Sequence, residues 1–429
     1  MFVLTMLATA TFWTTLGPPT GDDSGTDYAA FYEPVARSIV TSSAPVYPDG
    51  RPATRYPPGY PFVLASLFGL AAHTGVSEVA VVKGFALLGT AMSGVFLFLL
   101  ARSVWPAPWA RVTPLLWATC PLVLWLSGLQ GSEVAFLVVF YAACYCFWRG
   151  LNRYPESSLS YCTAGVLVGC AMLIRPIAIG VGLIMAAFAW FALKGRVSSR
   201  RRLIAATLIV AGNLVVVTPW EWWVFQRSGK FILLSEGGVR SIRDGLTFAT
   251  NLKGFRRGTT VPASVESVMR HFQSHYDELE TFGDIEAAIR EQARTNPKGL
   301  MQLLLLKTAR SWYATDSHRF EFQILIVQAM YLVPILLGSC VAWYQRGRMR
   351  LLVLFVWLLA CYFWAMTIVV LSIVRYMVPV LGLLFLLAPG AFIAVRRKLS
   401  GMSGPDGFSS QESRGSNERS FELRVSRCS

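Results

Sequence analysis

Apolar runs of about 20 residues recur along this chain, and they constrain its fold more than any other feature. Each run is long enough to cross the roughly 30 Å hydrocarbon core of a bilayer as a helix. Only 15% of the 429 residues are charged, whereas soluble domains carry about 25%. The sequence therefore predicts an all-α polytopic membrane protein and excludes a soluble globular domain.

The apolar runs predict about ten transmembrane helices. Residues 1–17 form a short first one, with no basic residue before it to orient it. The other nine are expected at 78–101, 112–128, 132–148, 158–174, 177–193, 203–224, 322–344, 351–371 and 376–395.

The net charge of +15 reflects membrane topology and not affinity for nucleic acid. Arginine and lysine cluster in short segments at the ends of the predicted helices, for example at 194–202 and 396–398. By the positive-inside rule these segments face the cytoplasm. Both long polar segments then fall on the extracytoplasmic side of a plasma or inner membrane, as two sizeable loops that carry interfacial helices.

This topology divides the chain into four parts. An N-terminal transmembrane module contains the first outer loop, and a second outer loop is followed by the last helices and a disordered cytoplasmic tail rich in Ser, Gly and Arg. In order, these are 1–224 (with the loop at 18–77 and an interfacial helix at 61–72), 225–321 (helical over 264–294 and 298–313), 322–398 and 399–429.

Two arginines interrupt apolar stretches where the topology requires turns on the outer side. Arg175 lies in AMLIRPIAIG and Arg375 in VLSIVRYMVPVLG. An arginine at the bilayer centre costs at least about 2.5–3.5 kcal/mol, although arginines at turns can also snorkel to lipid head groups. Because Glu133 and the acidic Asp27 are expected at the same face, we favour a site for an anionic ligand. Guanidinium groups suit phosphate, since they offer paired donors and keep their charge.

Signals for a metal are weak. His271 and His275 are four residues apart and could share an ion, but a solvated helix face explains that spacing as well. Asp22 and Asp23 are candidate ligands for a divalent cation such as Mg²⁺ or Mn²⁺, which prefers hard oxygen donors.

Short motifs are spread from the first outer loop to the last helix. They are Asp27 with Phe31 or Tyr32 and Ala36-Arg37; Pro57 to Pro61 with Phe68-Gly69; Ser132-Glu133; Arg175-Pro176; Pro219-Trp220 with Gly229-Lys230-Phe231; and Arg375-Tyr376 with Pro379. In order and spacing they resemble those of the GT-C class of integral-membrane glycosyltransferases. The likeness is to the bacterial branch related to dolichyl-phosphate-mannose protein mannosyltransferases and the lipid A aminoarabinose transferase.

The resemblance implies a hexosyl- or pentosyltransferase that moves a sugar from a polyprenyl-phosphate donor to an extracytoplasmic acceptor hydroxyl, with inversion. The acceptor would be a glycan, a lipid or a protein. The implied catalytic base is Asp27. The implied ligands of the donor phosphate are Arg175, Arg375, Lys83 and Arg55, and the implied substrate-orienting residues are Glu133, Tyr32, Arg37 and Tyr376.

Alternatives stay open for the base and for the function. The family's acidic motif usually pairs Asp with Glu or Asp, whereas Tyr28 follows Asp27 here, so Asp22 or Asp23 is an alternative base. A lipid-linked-sugar flippase or transporter, or a non-catalytic envelope-assembly protein, are the other functions. A transporter needs ionisable residues near mid-membrane that both faces can reach, and here they gather at one face.

Overall fold

The computed structural model describes residues 1–16, 27–152, 158–247, 261–315, 319–345 and 347–399. Nineteen α-helices lie within these residues. The first ten are α1 (Phe2–Leu16), α2 (Glu33–Ser42), α3 (Gly59–Thr74), α4 (Glu78–Arg102), α5 (Ala107–Ala110), α6 (Val112–Thr119), α7 (Pro121–Ser127), α8 (Glu133–Asn152), α9 (Ser158–Ile174) and α10 (Val181–Ala192). The others are α11 (Ser199–Ser228), α12 (Gly237–Thr247), α13 (Ala263–Ser274), α14 (Phe282–Thr295), α15 (Pro297–Arg310), α16 (Glu321–Tyr344), α17 (Arg348–Val369), α18 (Val378–Leu384) and α19 (Pro389–Leu399).

The helices form a multi-pass membrane bundle, which confirms the predicted fold class. Six segments of the described chain are long and apolar enough to cross a membrane: α4, α8, α11, α16, α17 and α18 with α19. The helices α5 to α7 together are also long and apolar enough, but they bend by 55° at Cys120, as a broken crossing or a re-entrant loop does. Three shorter apolar helices are α1, α9 and the segment Pro176–Ala192. The count of ten crossings stays a prediction.

Glycines allow close packing at the centre of the bundle, where α9 lies against α8 and α11. A Cβ atom on Gly165 would lie 2.2 Å from the carbonyl oxygen of Ile209, and one on Gly212 would lie 2.7 Å from that of Cys162. Small residues let membrane helices approach backbone to backbone, where packing and not hydrophobicity drives association. This packing holds α9 against α11, and the site described below lies at the ends of α8 and α9.

Residues 27–77, 229–247 and 261–315 lie at the same end of the bundle, which we call the loop end. The amide of Glu236 donates to the carbonyl of Thr54, and the Thr54 hydroxyl donates to the Glu236 carboxylate at 2.6 Å. At the end of α11, Trp220 donates its indole N–H to the carbonyl of Leu234, and Glu221 accepts from the Leu234 amide. These bonds tie the two long loops to each other and to α11.

Helices α12 to α15 form what we call the polar helical unit, with a small core of its own. Val268, Met269, Phe272 and Leu303 are completely buried in it. The stretch 264–294, for which the sequence predicts helix, is divided into two helices in the structure: α13 ends at Ser274 and α14 begins at Phe282. A capping box between Thr281 and Asp284 starts a new helix there, satisfying amides that would otherwise lack partners. The predicted tail, beyond Leu399, lies outside the described residues.

Candidate active site

An ion pair between Glu133 and Arg175 lies at the centre of the candidate site. Glu133 is the first residue of α8, and Arg175 follows the last residue of α9 in an extended conformation before Pro176. A residue before proline is disfavoured in the helical region, which explains why α9 ends there. The two side chains are in direct contact and only 10% and 14% exposed. At Gly131 a Cβ would lie 2.0 Å from Glu133 Oε2, so this carboxylate position requires glycine.

Arg375 joins this pair through Tyr376. Both residues belong to a short 3-10 turn, Val374–Tyr376, that follows α17. The Cζ atoms of Arg175 and Arg375 lie 5.1 Å and 5.4 Å from the centroid of the Tyr376 ring, within the range of cation–π attraction. The two guanidinium groups are therefore held on one ring, although they come from positions 200 residues apart in the sequence.

Glu133, Arg175, Arg375 and Tyr376 line one small cleft together with Phe136 and other apolar residues. We call it the arginine cleft. Its volume is about 10 Å³, which is room for about one water molecule. The cleft has a net positive charge, because two guanidinium groups and one carboxylate line it. Such an arrangement can bind a phosphate group if the cleft widens, or if the Glu133 carboxylate moves away from Arg175.

Tyrosines connect the arginine cleft to the first long loop. Tyr32 lies beside Ser132, Glu133 and Arg175, and burial raises the pKa of its hydroxyl well above the usual range. Its ring centroid is 5.4 Å from that of Tyr56 and 5.0 Å from that of Tyr60. The Tyr60 hydroxyl in turn donates to the carbonyl of Gln130 at 3.2 Å. Tyr32 thus stays neutral at ordinary pH between the cleft and the loop.

Asp27 lies at the other side of these tyrosines. Its Oδ1 accepts hydrogen bonds from the Tyr56 hydroxyl at 2.9 Å and from Arg55 at 3.3 Å. The Asp27 side chain is 41% exposed and that of Arg55 33%. Burial, followed by the negative charge of Asp27, raises the pKa of Tyr56 to about 12. Asp27 is therefore an oriented carboxylate that remains within reach of an incoming molecule.

The remaining sequence candidates lie elsewhere. Arg37 bridges Glu33 and Glu78 at 2.8 Å and 2.7 Å, which ties α2 to the start of α4. Lys83 lines a different cavity of about 180 Å³, bounded also by Trp13, Ser127 and Gln130.

The segment 126–133 separates that cavity from the arginine cleft, since Leu126 and Glu133 line the cleft whereas Ser127 to Gln130 line the cavity. The structure therefore brings Arg175 and Arg375 together and leaves Lys83 and Arg55 apart from them. All assigned roles stay predictions.

The metal candidates gain no support. Asp22 and Asp23 lie outside the described residues. Within the described residues no group of three or more His, Cys, Asp or Glu side chains could hold an ion. In the polar helical unit, the His275 ring nitrogen Nδ1 lies 2.9 Å from the carbonyl oxygen of His271, and His271 Nε2 is 3.9 Å from Glu291.

The sequence assigns no role in the site to Tyr56, Tyr60 or Ser132, although Tyr60 and Ser132 lie within its motifs. A signal was present, because Tyr56 and Tyr60 flank the proline-rich run and Ser132 precedes Glu133. Tyrosines that flank prolines are common in loops, however, so their convergence on Tyr32 becomes visible only in three dimensions.

Comparisons with known proteins agree with this architecture. Residues 55–223 match the family described as dolichyl-phosphate-mannose-protein mannosyltransferase. A comparison with curated proteins gives no match.

Among solved structures, the chain is similar to the oligosaccharyltransferase AglB from Archaeoglobus fulgidus, in complex with an inhibitory peptide and a dolichol-phosphate. The TM-score is 0.59 at 15% identity, over 99% of this chain and 53% of that one. The apo form of the Archaeoglobus fulgidus oligosaccharyltransferase gives a TM-score of 0.59 at 16% identity, over 93% of this chain and 50% of that one.

ArnT from Cupriavidus metallidurans, bound to undecaprenyl phosphate, matches with a TM-score of 0.44 at 15% identity, over 93% of this chain and 78% of that one. The chain spans about half the length of the two oligosaccharyltransferase structures. The resemblance to GT-C class membrane glycosyltransferases is thereby confirmed, in sequence over residues 55–223 and in fold over nearly the whole chain.

Proposed function

We propose that this protein transfers a sugar from a polyprenyl-phosphate donor to an acceptor hydroxyl, with inversion at the anomeric carbon. One observation carries the proposal: Arg175 and Arg375 share the ring of Tyr376 beside Glu133, and tyrosines join this cleft to Asp27. The AglB structure holds a dolichol-phosphate, which is the class of lipid that we propose for this chain.

The donor phosphate would bind in the arginine cleft. The cleft carries one net positive charge, which balances the single negative charge of a phosphodiester. When the sugar leaves, the phosphate gains a second negative charge, and fixed guanidinium groups stabilise that developing charge. Because the present volume is about 10 Å³, the phosphate has to compete with Glu133 for Arg175. Glu133 then acts as the counterion that holds the two arginines together before the donor binds.

Asp27 would act as the general base. It removes the proton from the acceptor hydroxyl while that oxygen forms a bond to the anomeric carbon. The bond from this carbon to the phosphate oxygen breaks on the opposite face, and the phosphate keeps the electron pair. Tyr56 and Arg55 orient the carboxylate through Oδ1, and its 41% exposure leaves room for an acceptor.

The charge pattern supports an extracytoplasmic reaction in a plasma or inner membrane. The loop end carries the cleft and Asp27, whereas basic clusters such as 194–202 and 396–398 lie at the opposite helix ends. The positive-inside rule assigns the basic end to the cytoplasm. The acceptor would then approach from outside, and the prenyl chain would lie among the membrane helices.

The test is transfer from radiolabelled polyprenyl-phosphate sugars by the purified protein in liposomes. We expect Asp27→Asn to lower turnover by about 10²–10⁴-fold, the usual contribution of a positioned base. Asp49→Asn is the matched control, because Asp49 pairs with Arg51 in the same loop at 2.6 Å and is exposed. It should keep full activity. Near-normal turnover of Asp27→Asn would remove Asp27 from the mechanism.

If the wild-type protein transfers no sugar but moves lipid-linked sugars across the bilayer, the transporter alternative replaces the enzyme.

A further inference from the structure

The polar helical unit meets the end of α17 through a buried lysine. Lys307 on α15 is 1% exposed. Its amine donates to the carbonyls of Val369 and Val370, at 3.4 Å and 3.3 Å. These carbonyls belong to the last turn of α17, where the helix leaves them without internal partners. A donor amine is favourable at this position, because the C-terminal end of a helix carries partial negative charge.

Three further contacts lie at this place, two between the polar helical unit and the end of α17 and one between the segments that follow them. The indole N–H of Trp364 on α17 donates to the carbonyl of Thr308 at 3.0 Å. The amide of Val374 donates to the carbonyl of Ala314 at 2.9 Å. On α12, a Cβ at Gly245 would lie 1.6 Å from the carbonyl oxygen of Val370, so only glycine allows that helix to come so close.

The chain from this joint to Arg375 is short and fixed. Only four residues separate Val370 from Arg375. Within them, Ser372 is fully buried and its hydroxyl donates to the carbonyl of Thr367. The bond from Val374 to Ala314 holds the residue directly before Arg375. A displacement at the end of α17 therefore shifts the Arg375 guanidinium by a similar amount.

We propose that Lys307 is a positioning residue, which sets the Arg375 side chain for the donor phosphate by holding the last carbonyls of α17. The polar helical unit thereby contributes to donor binding without touching the donor. This inference rests on the proposed function. A misplacement of about 1 Å at a reacting group can cost about 10²-fold in rate, so a small shift at this joint is enough to matter.

The experiment is a double-mutant cycle on donor binding in liposomes, with radiolabelled polyprenyl phosphate as the probe. Lys307→Met removes the amine and keeps a side chain of similar length. Lys298→Met is the matched control, since Lys298 lies exposed on the same helix. We expect Lys307→Met to weaken binding by about tenfold in the wild-type background, and Lys298→Met to leave it unchanged.

The background of Arg375→Ala separates positioning from general damage. If Lys307 acts through Arg375, Lys307→Met should change binding by less than about twofold in that background, because coupled residues are not additive. An equal loss in both backgrounds, or no loss in the wild type, overturns the inference.

Should Lys307→Met fail to fold, Trp364→Phe tests the same contact region, since it removes the hydrogen bond to Thr308 and keeps a smaller ring against Trp312. A wild-type protein that does not bind the probe would instead refute the proposed function.

Discussion

Two arginine–carboxylate pairs at the loop end differ in how far water reaches them. Arg175 and Glu133 are only 14% and 10% exposed, whereas Arg55 and Asp27 are 33% and 41% exposed. Because the first pair is buried, solvent screens its charges little, and its arginine attracts an anion strongly. The second pair is screened by solvent and exchanges partners easily. The comparison teaches that one pair is suited to hold a phosphate and the other to take a proton from an incoming hydroxyl.

The largest expected effect comes from removing the buried carboxylate. Glu133→Gln removes the carboxylate that pairs with the buried Arg175 guanidinium, and breaking a buried pair in this way costs about 3–5 kcal/mol. Glu33→Gln is the control, because Glu33 pairs with Arg37 at an exposed position and should cost no more than about 1 kcal/mol. Thermal unfolding of both variants in detergent measures the difference. Equal losses would show that the two kinds of pair do not differ.

The next effect concerns the shape of the cation. Arg175→Lys keeps the charge but loses the planar fork and the stacking on Tyr376. We expect the donor KM to rise about 10- to 100-fold, the value of one hydrogen bond to a charged group. Arg55→Lys should change it by less than about fivefold, because its pair is exposed. A larger effect of Arg55→Lys would move the donor phosphate to the exposed pair.

The smallest effect is a pH dependence of stability that involves the buried amine of Lys307. Burial lowers the pKa of Lys307 to about 7 from its ordinary value of 10.5. Between these two values the unfolded chain holds a proton that the folded chain lacks, so stability should rise with pH across that window. Below about pH 7 both states are protonated, and this contribution no longer changes.

The unfolding temperature at pH 7 and pH 9 checks this, with Lys307→Met as the reference. The rise should be smaller in Lys307→Met than in the wild type, and an identical rise in both proteins would contradict the lowered pKa.

Much of this arrangement follows from the sequence. Runs of about 20 apolar residues predict crossings by length alone, and alternating topology then brings Glu133, Arg175 and Arg375 to one face. Their separation from Lys83 could not be predicted, because it depends on how the segment 126–133 is folded between two cavities. Long-range contacts leave no periodic signal.

The contact between Lys307 and the end of α17 could not be predicted from the sequence for the same reason. The sequence predicts that a lysine in a polar helix is solvated. The close approach of Gly245 to Val370 is what buries Lys307. The interruption between α13 and α14 was not predicted, because the stretches on both sides of it favour helix. The capping box at Thr281 that starts α14 lies between them.

The central claim is that the arginine cleft binds the donor phosphate and Asp27 serves a later step. The most direct test measures binding of radiolabelled polyprenyl phosphate to the wild type, Arg375→Ala and Asp27→Asn in liposomes, with unlabelled polyprenol as a neutral competitor. The account predicts that Arg375→Ala loses at least about tenfold in affinity, that Asp27→Asn binds like the wild type, and that polyprenol does not compete. Unchanged affinity in Arg375→Ala would contradict it.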